Sequence, residues 1–352
     1  MCKPQSAPVD NHRLRWVPLL LALALSGCST YYGQLAVGQF ELLRQREPVD
    51  AIVASEQTDR NLRQRLSQAL RARRFASESL GLPDNGSYRV YADIGRPYVV
   101  WNVFATEEFS VAPLTHCFPI AGCVAYRGYY QQGRARGAAA RLSMKGYDTQ
   151  VAGVQAYSTL GWFDDPLLSS MLRWNDERLA GLIFHELAHQ RLYVADDTAF
   201  NEPFASFVEQ EGLRQWRAHR GLDPAEPGAP DPYADLSRLV LATRERLAAL
   251  YASGVDAERM RAAKAAEFSR LRQAYRQMRD TRWRGDARFD RWMAQPLNNA
   301  SLVPFGLYDR WVPAFAALFV RQGRDWLRFY EAAEALGRLP ADERNLQLES
   351  FR

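Results

Sequence analysis

The sequence predicts a mainly helical α+β chain with a small antiparallel or mixed sheet and a long helical hairpin. Three observations carry that reading. Residues 175–212 repeat their apolar positions at helical spacing in two adjacent segments. Residues 88–104 instead gather tyrosine, valine, tryptophan and phenylalanine into short runs, the composition of strands. Residues 235–283 form two long amphipathic segments parted by Ser253-Gly254. At 352 residues and 47% hydrophobic, the chain is long enough to bury a substantial core. It reads as one domain over 28–352, with a helical insertion at about 233–285.

The N-terminus, 1–27, has the layout of a lipoprotein signal peptide. Lys3, Arg13 and Arg15 precede a short apolar run from Trp16 to Leu25. Ten residues are too few for a membrane-spanning helix, which needs about 20. Leu25-Ser26-Gly27-Cys28 resembles a bacterial lipobox, with small residues before a cysteine whose thiol would carry lipid. The expected location is the cell envelope, on the periplasmic face of the outer membrane, with the mature chain tethered through Cys28. Export also suits the remaining cysteines. With Cys2 lost and Cys28 lipidated, Cys117 and Cys123 would close a short loop as a disulfide in an oxidising compartment. Two free buried thiols, and a nucleophile built from His116 and Cys117, are the other readings of that pair.

A first helix is expected over 29–45, ended by Glu47-Pro48, and a second, arginine-rich helix over 58–80, broken at Gly81-Leu82-Pro83. Strands follow at Tyr88–Tyr91, Tyr98–Phe104 and about 124–130, then a helix from Gly133 to Arg141. Residues 154–163 are expected to form the sheet edge, where a peptide could add as a further strand. Tyr157, Ser158 and Thr159 would then cradle substrate.

The next segment holds one H-E-x-x-H, from His185 to His189. Residues four apart share a helix face, so both imidazoles can converge on one metal, while Glu186 sits one step round, within reach of a water on it. Asn175 can cap this helix, Asp176 and Glu177 suit its first turn, and Leu179, Leu182, Ile183 and Leu187 give its apolar stripe. Zinc takes neutral imidazoles and a third ligand, commonly a carboxylate, and keeps a position open for water. Leu192 and Ala195 stand where a metzincin needs Gly and a third His. The following helix, opening Asn201-Glu202, offers Glu202 as third ligand, with Glu209 on the same face as backup and His219 as a weaker candidate. One Zn²⁺ is therefore the expected cofactor. Asp196 or Asp197 would orient a ligand histidine.

The runs Ala156–Pro166, Phe184–Gln190 and Asp196–Ala205, with Cys117–Cys123 and Tyr126–Tyr130, resemble a family of bacterial zinc aminopeptidases, lipoprotein-type members of the gluzincin kind. The resemblance spans nearly the whole mature chain. It implies a zincin-like fold, His185, His189 and Glu202 as zinc ligands, and Glu186 as the catalytic carboxylate. The expected activity is zinc-dependent peptide hydrolysis, with Glu186 as general base. An envelope zinc endopeptidase and a non-catalytic lipid-anchored scaffold are the alternatives.

After the proline-rich stretch 221–232, the hairpin segments 235–252 and 256–283 are expected to pack on the metal helices. Tyr308, ahead of a last aromatic-rich helical region, is the candidate for stabilising a developing oxyanion, with Tyr193 and Tyr157 competing. Basic and acidic residues number 45 and 40 and are interspersed, which argues against a nucleic-acid partner.

Overall fold

The computed structural model describes residues 17–118, 122–156, 158, 159, 161, 163–223, 231–305 and 311–351, with side chains from Tyr31 onward. Two compact units divide after Gln45. The first contains one helix, α1 (Val17–Arg44). It passes through the expected processing point at Cys28 instead of starting at Ser29. Among the described residues, no helix is long and apolar enough to cross a membrane.

The second unit, 46–352, opens with β1 (Arg46–Pro48), α2 (Val49–Ala54) and α3 (Arg60–Glu78). Asp59 caps α3 by accepting from the amides of Asn61 and Leu62. Leu66, Ala69, Phe75 and Ala76 bury one stripe of the helix. Arg73 lies on that buried side too. It donates to the carbonyls of Pro83, Asn85 and Ser87, which satisfies a guanidinium that burial would otherwise penalise.

Short strands alternate with loops through the middle of the chain. These are β2 (Val90–Ala92), β3 (Val100–Thr106), β4 (His116–Phe118), β5 (Gly122–Val124), β6 (Tyr126–Tyr129), then α4 (Gln132–Ser143), β7 (Asp148–Val154) and β8 (Leu167–Leu168). They make three small sheets. β6-β3-β7 is antiparallel throughout, β1-β2-β8 is mixed, and β4-β5 is a two-stranded hairpin. Cys117 and Cys123 face each other in that hairpin and are joined by a disulfide.

One expectation needs correcting here. The edge strand is β7, ending at Val154, and not 154–163. Beyond Val154 the described residues form a loop closed by the Asp165 carboxylate. That carboxylate accepts from Ser158 Oγ (3.1 Å), Thr159 N (2.9 Å) and Thr159 Oγ1 (2.8 Å). Local hydrogen bonds of this kind compete directly with a strand ladder.

The helical half holds α5 (Asp176–Arg191), α6 (Thr198–His219), α7 (Pro232–Tyr251), α8 (Ala257–Thr281), α9 (Asp290–Met293), α10 (Asn299–Leu302), α11 (Val312–Arg321), α12 (Trp326–Gly337) and α13 (Ala341–Glu349). The hairpin of α7 and α8 forms as expected, joining Leu236, Val240 and Leu247 to Phe268, Leu271 and Tyr275. Its core is completed by Met293, Leu297 and Leu302, with Val111 and Phe305 against it. The hairpin thus packs on the 289–305 segment instead of on α5 and α6. Arg178 Nη1 of α5 does reach Tyr233 OH of α7 (2.6 Å).

The last helices cover α6. Phe200, Phe204 and Phe207 meet Phe315, Phe319 and Phe329 in edge-to-face, stacked and tilted pairs 5.1–5.8 Å apart. This aromatic block and the α5–α6 contact make the rigid ground on which the H-E-x-x-H helix sits.

Candidate metal centre

The centre is built from two helices that meet closely because two glycines let them. A Cβ on Gly212 of α6 would lie 2.8 Å from Leu80 Cδ1 and 3.0 Å from Phe184 Cδ2. One on Gly181 of α5 would lie 2.9 Å from Glu209 Oε1 and 3.0 Å from Leu213 Cδ1. Asn175 caps α5 by accepting from Arg178 N (2.8 Å), and Arg65 of α3 pairs with Asp176 in its first turn. Asp197 caps α6 by accepting from Phe200 N (2.9 Å). The link between the helices is held by Asn201, whose amide oxygen accepts from Val194 N (2.8 Å) and whose amide nitrogen donates to Val194 O (2.7 Å). Glu202 follows directly, so its backbone is fixed by its neighbour.

His185, His189 and Glu202 converge. Nε2 of His185 is 3.2 Å from Nε2 of His189 and 3.3 Å from Glu202 Oε2, and His189 Nε2 is 3.7 Å from the same oxygen. Ligands about 2.0–2.1 Å from a tetrahedral zinc would stand about 3.3–3.4 Å apart. The three atoms therefore have the spacing of one face of that tetrahedron, and two neutral imidazoles with one carboxylate are a donor set zinc accepts. Side-chain exposures of 15%, 6% and 19% leave the group largely stripped of water.

The electrostatics without a cation are consistent with such a site. Burial works against a charged His185, but hydrogen bonds to Glu202 and Glu209 outweigh it and hold the imidazole well above its ordinary range. Burial likewise opposes ionisation of Glu202, and the two histidines reverse that, taking it down to about 2. Positive charge is thus favoured at the point where the three side chains meet. Glu186 behaves in the opposite sense. Burial pushes its carboxyl up, while His185 and His189 oppose and the Glu202 and Asp165 carboxylates add to the rise.

Several residues arrange this group that the motif alone does not mark. Gln190, next to His189, donates to Ser87 Oγ (3.2 Å) and accepts from Asn85 Nδ2 (2.7 Å). The buried Arg73 holds that same 83–87 loop. Tyr88 is 2% exposed and sits at φ 63°, a costly conformation for a bulky residue, anchored by its amide on Asp165 O (2.7 Å). Burial and the carboxylates of Glu186 and Asp165 push its phenol far up, which puts Tyr88 in the electrostatic reach of Glu186.

The other expected site residues fall as follows. Glu209 is not in the ligand cluster; its Oε2 lies 3.1 Å from His185 Nδ1, behind the ring. Asp197 is the helix cap and pairs with Arg344, and Asp196 accepts from Cys123 N (2.7 Å) of the disulfide hairpin. Among the described residues neither is bonded to a histidine, since one carboxylate holds the disulfide hairpin and the other caps α6 and pairs with α13. His219 stacks on Trp216 and tilts against Phe75 as part of the packing. Ser158 and Thr159 donate to Asp165, and Tyr157 and Tyr308 lie outside the described residues. Tyr193 is near the centre, its ring 6.2 Å from that of His189, with its phenol pushed up by burial and by Glu202.

Two imidazoles and a carboxylate clustered on one helix pair, beside a buried carboxyl, define a protein with a candidate hydrolytic metal centre on a mainly helical α+β fold. The chain belongs to the family described as "Putative aminopeptidase", whose model matches residues 30–348. No curated protein matches it, and no solved structure does.

Proposed function

We propose that this protein is a zinc-dependent peptide hydrolase, an aminopeptidase with a zincin-like site of the gluzincin kind. The observation that carries the proposal is the spacing of the His185, His189 and Glu202 ligand atoms, at 3.2, 3.3 and 3.7 Å. Zinc held by these three side chains would supply Lewis acidity and bring a bound water toward a pKa of about 7. Glu186, whose carboxyl is shifted upward by burial, accepts a proton from the attacking water and hands it to the leaving amine, as general base and then general acid. A phenol donates to the oxygen of the substrate carbonyl as negative charge develops there. Tyr193, beside His189, is the described candidate for this role, and Tyr308 is its competitor. Tyr157, Ser158 and Thr159 remain the proposed substrate contacts.

Cys28 is the proposed lipid attachment, tethering the domain to the periplasmic face of the outer membrane. Replacing Cys28 with Ser is expected to release the protein from the membrane fraction. For the chemistry, elemental analysis of purified protein is expected to find one zinc per chain, removable by chelator together with activity. Free peptides are expected to be cleaved and N-terminally blocked ones spared. Cleavage of blocked peptides at equal rate would make the enzyme an endopeptidase, and a chain without metal or turnover would be a scaffold.

A further inference from the structure

Beyond the ligands themselves, the geometry points to Glu209 as the positioning residue of the site. We propose that it locks the His185 ring so that Nε2, and not Nδ1, faces the metal, and that Gly181 is there to let it through. This rests on the zinc reading above.

The two ligand histidines are held differently. His185 Nδ1 lies 3.1 Å from Glu209 Oε2, so the ring has a fixed acceptor on the side away from Glu202 and His189. A proton kept on Nδ1 leaves Nε2 to point into the cluster, 3.3 Å from Glu202 Oε2. His189 has no such partner. Its Nδ1 is buried without a hydrogen bond among the described residues, and its ring is held by packing, with 6% of the side chain exposed. The described hydrogen-bonded acceptor behind a ligand ring is therefore Glu209's alone.

Glu209 sits seven residues after Glu202, on the same face of α6. It reaches His185 by crossing α5 at Gly181, one helical turn before His185. A side chain at 181 would collide with it, since a Cβ there would lie 2.9 Å from Glu209 Oε1 and 3.3 Å from Glu209 Cγ. A glycine in the interior of a helix costs stability relative to alanine. Here it opens the path for one carboxylate. The side chain of Glu209 is 36% exposed, so replacing it leaves no large cavity.

The test compares Glu209→Ala, Glu209→Gln and Gly181→Ala in the whole chain by two readouts. The first is the zinc dissociation constant, measured by competition with a coloured chelator. Glu209→Ala is expected to weaken zinc about 10- to 100-fold, the usual effect of removing a residue that orients a ligand. Glu209→Gln keeps an acceptor oxygen and is expected to restore binding to near the parent value. Gly181→Ala should weaken it as Glu209→Ala does. The second readout needs no metal. The Nδ1–H proton of His185, followed by nuclear magnetic resonance, should exchange slowly in the parent and Glu209→Gln and rapidly in Glu209→Ala. Equal zinc affinity in Glu209→Ala, equal loss in Glu209→Gln, or unchanged exchange would each overturn the assignment. A parent chain that binds no zinc but shows the protected Nδ1–H would overturn the metal reading and leave the Glu209–His185 lock standing.

Discussion

Glu186 and Glu202 are chemically the same side chain, and their surroundings drive them apart. Burial, beside two other carboxylates, raises Glu186, whereas the two histidines take Glu202 down to about 2. One is thereby suited to carry a proton and the other to stay an anionic ligand. Glu186→Gln should keep its zinc and lose turnover by a factor of about 10² to 10⁴, the range for a removed acid–base group. Full activity in that variant would eliminate Glu186 as the base. The ligand cluster also predicts how stability depends on pH when metal is removed. Glu202 is depressed, so its contribution is complete above about 4.5 and fades as pH falls toward 2. His185 is raised, so its contribution is complete below about 6.5 and fades as pH rises through its folded value. The stability difference between chelator-treated parent and Glu202→Gln should therefore be largest between about pH 4.5 and 6.5 and shrink on both sides. Denaturant melts across pH 3–9 measure it, and a difference that grows steadily with pH would contradict the pairing.

At the scale of elements, the site depends on how near α5 and α6 come. Gly212 faces Leu80 and Phe184 with no room for even a methyl group. Gly212→Val is expected to cost about 1–3 kcal/mol through overpacking, read as a lower thermal midpoint. Because the strain falls on Phe184, next to His185, zinc affinity should drop with it. A stable variant with normal affinity would show that the helices have freedom to separate. The disulfide hairpin meets the same pair of helices at their link. Gly122, at φ 69°, has no space for a side chain against Asp196, whose carboxylate holds Cys123 N.

Across the whole molecule, α5 and α6 are held from parts of the chain far away in sequence. Arg344 of α13, 4% exposed, pairs with Asp197 at the start of α6 and donates to the carbonyls of Gly337 (3.1 Å) and Leu339 (3.0 Å). Removing one partner of such a pair leaves a buried charge unmatched, so Arg344→Ala should cost on the order of 3 kcal/mol. A clear fall in melting temperature is the expected result, and an unchanged melting temperature would show that α13 is a dispensable appendage. Through Asp197 the same change should loosen the link that precedes Glu202.

Some of this was open to a reader of the chain alone. The H-E-x-x-H spacing on an apolar-striped helix, the Asn175 cap, the second acid helix and the α7–α8 hairpin are all local patterns. Local patterns persist because a helix is specified by neighbours three and four positions away. What failed had non-local causes. The strand expected at 154–163 lost to the Asp165 carboxylate, and Asp196 and Asp197 went to partners 73 and 147 residues distant. Glu209's place behind His185 was hidden for the same reason, since its path depends on the absence of a side chain at 181 on another helix. The sequence by itself determined which residues were able to hold a metal and on which helices they would ride. The tertiary structure decided which acid meets the two histidines, which one lies behind a ring and which ones hold neighbouring segments, because those choices turn on distances of a few tenths of an ångström between segments that only folding brings together.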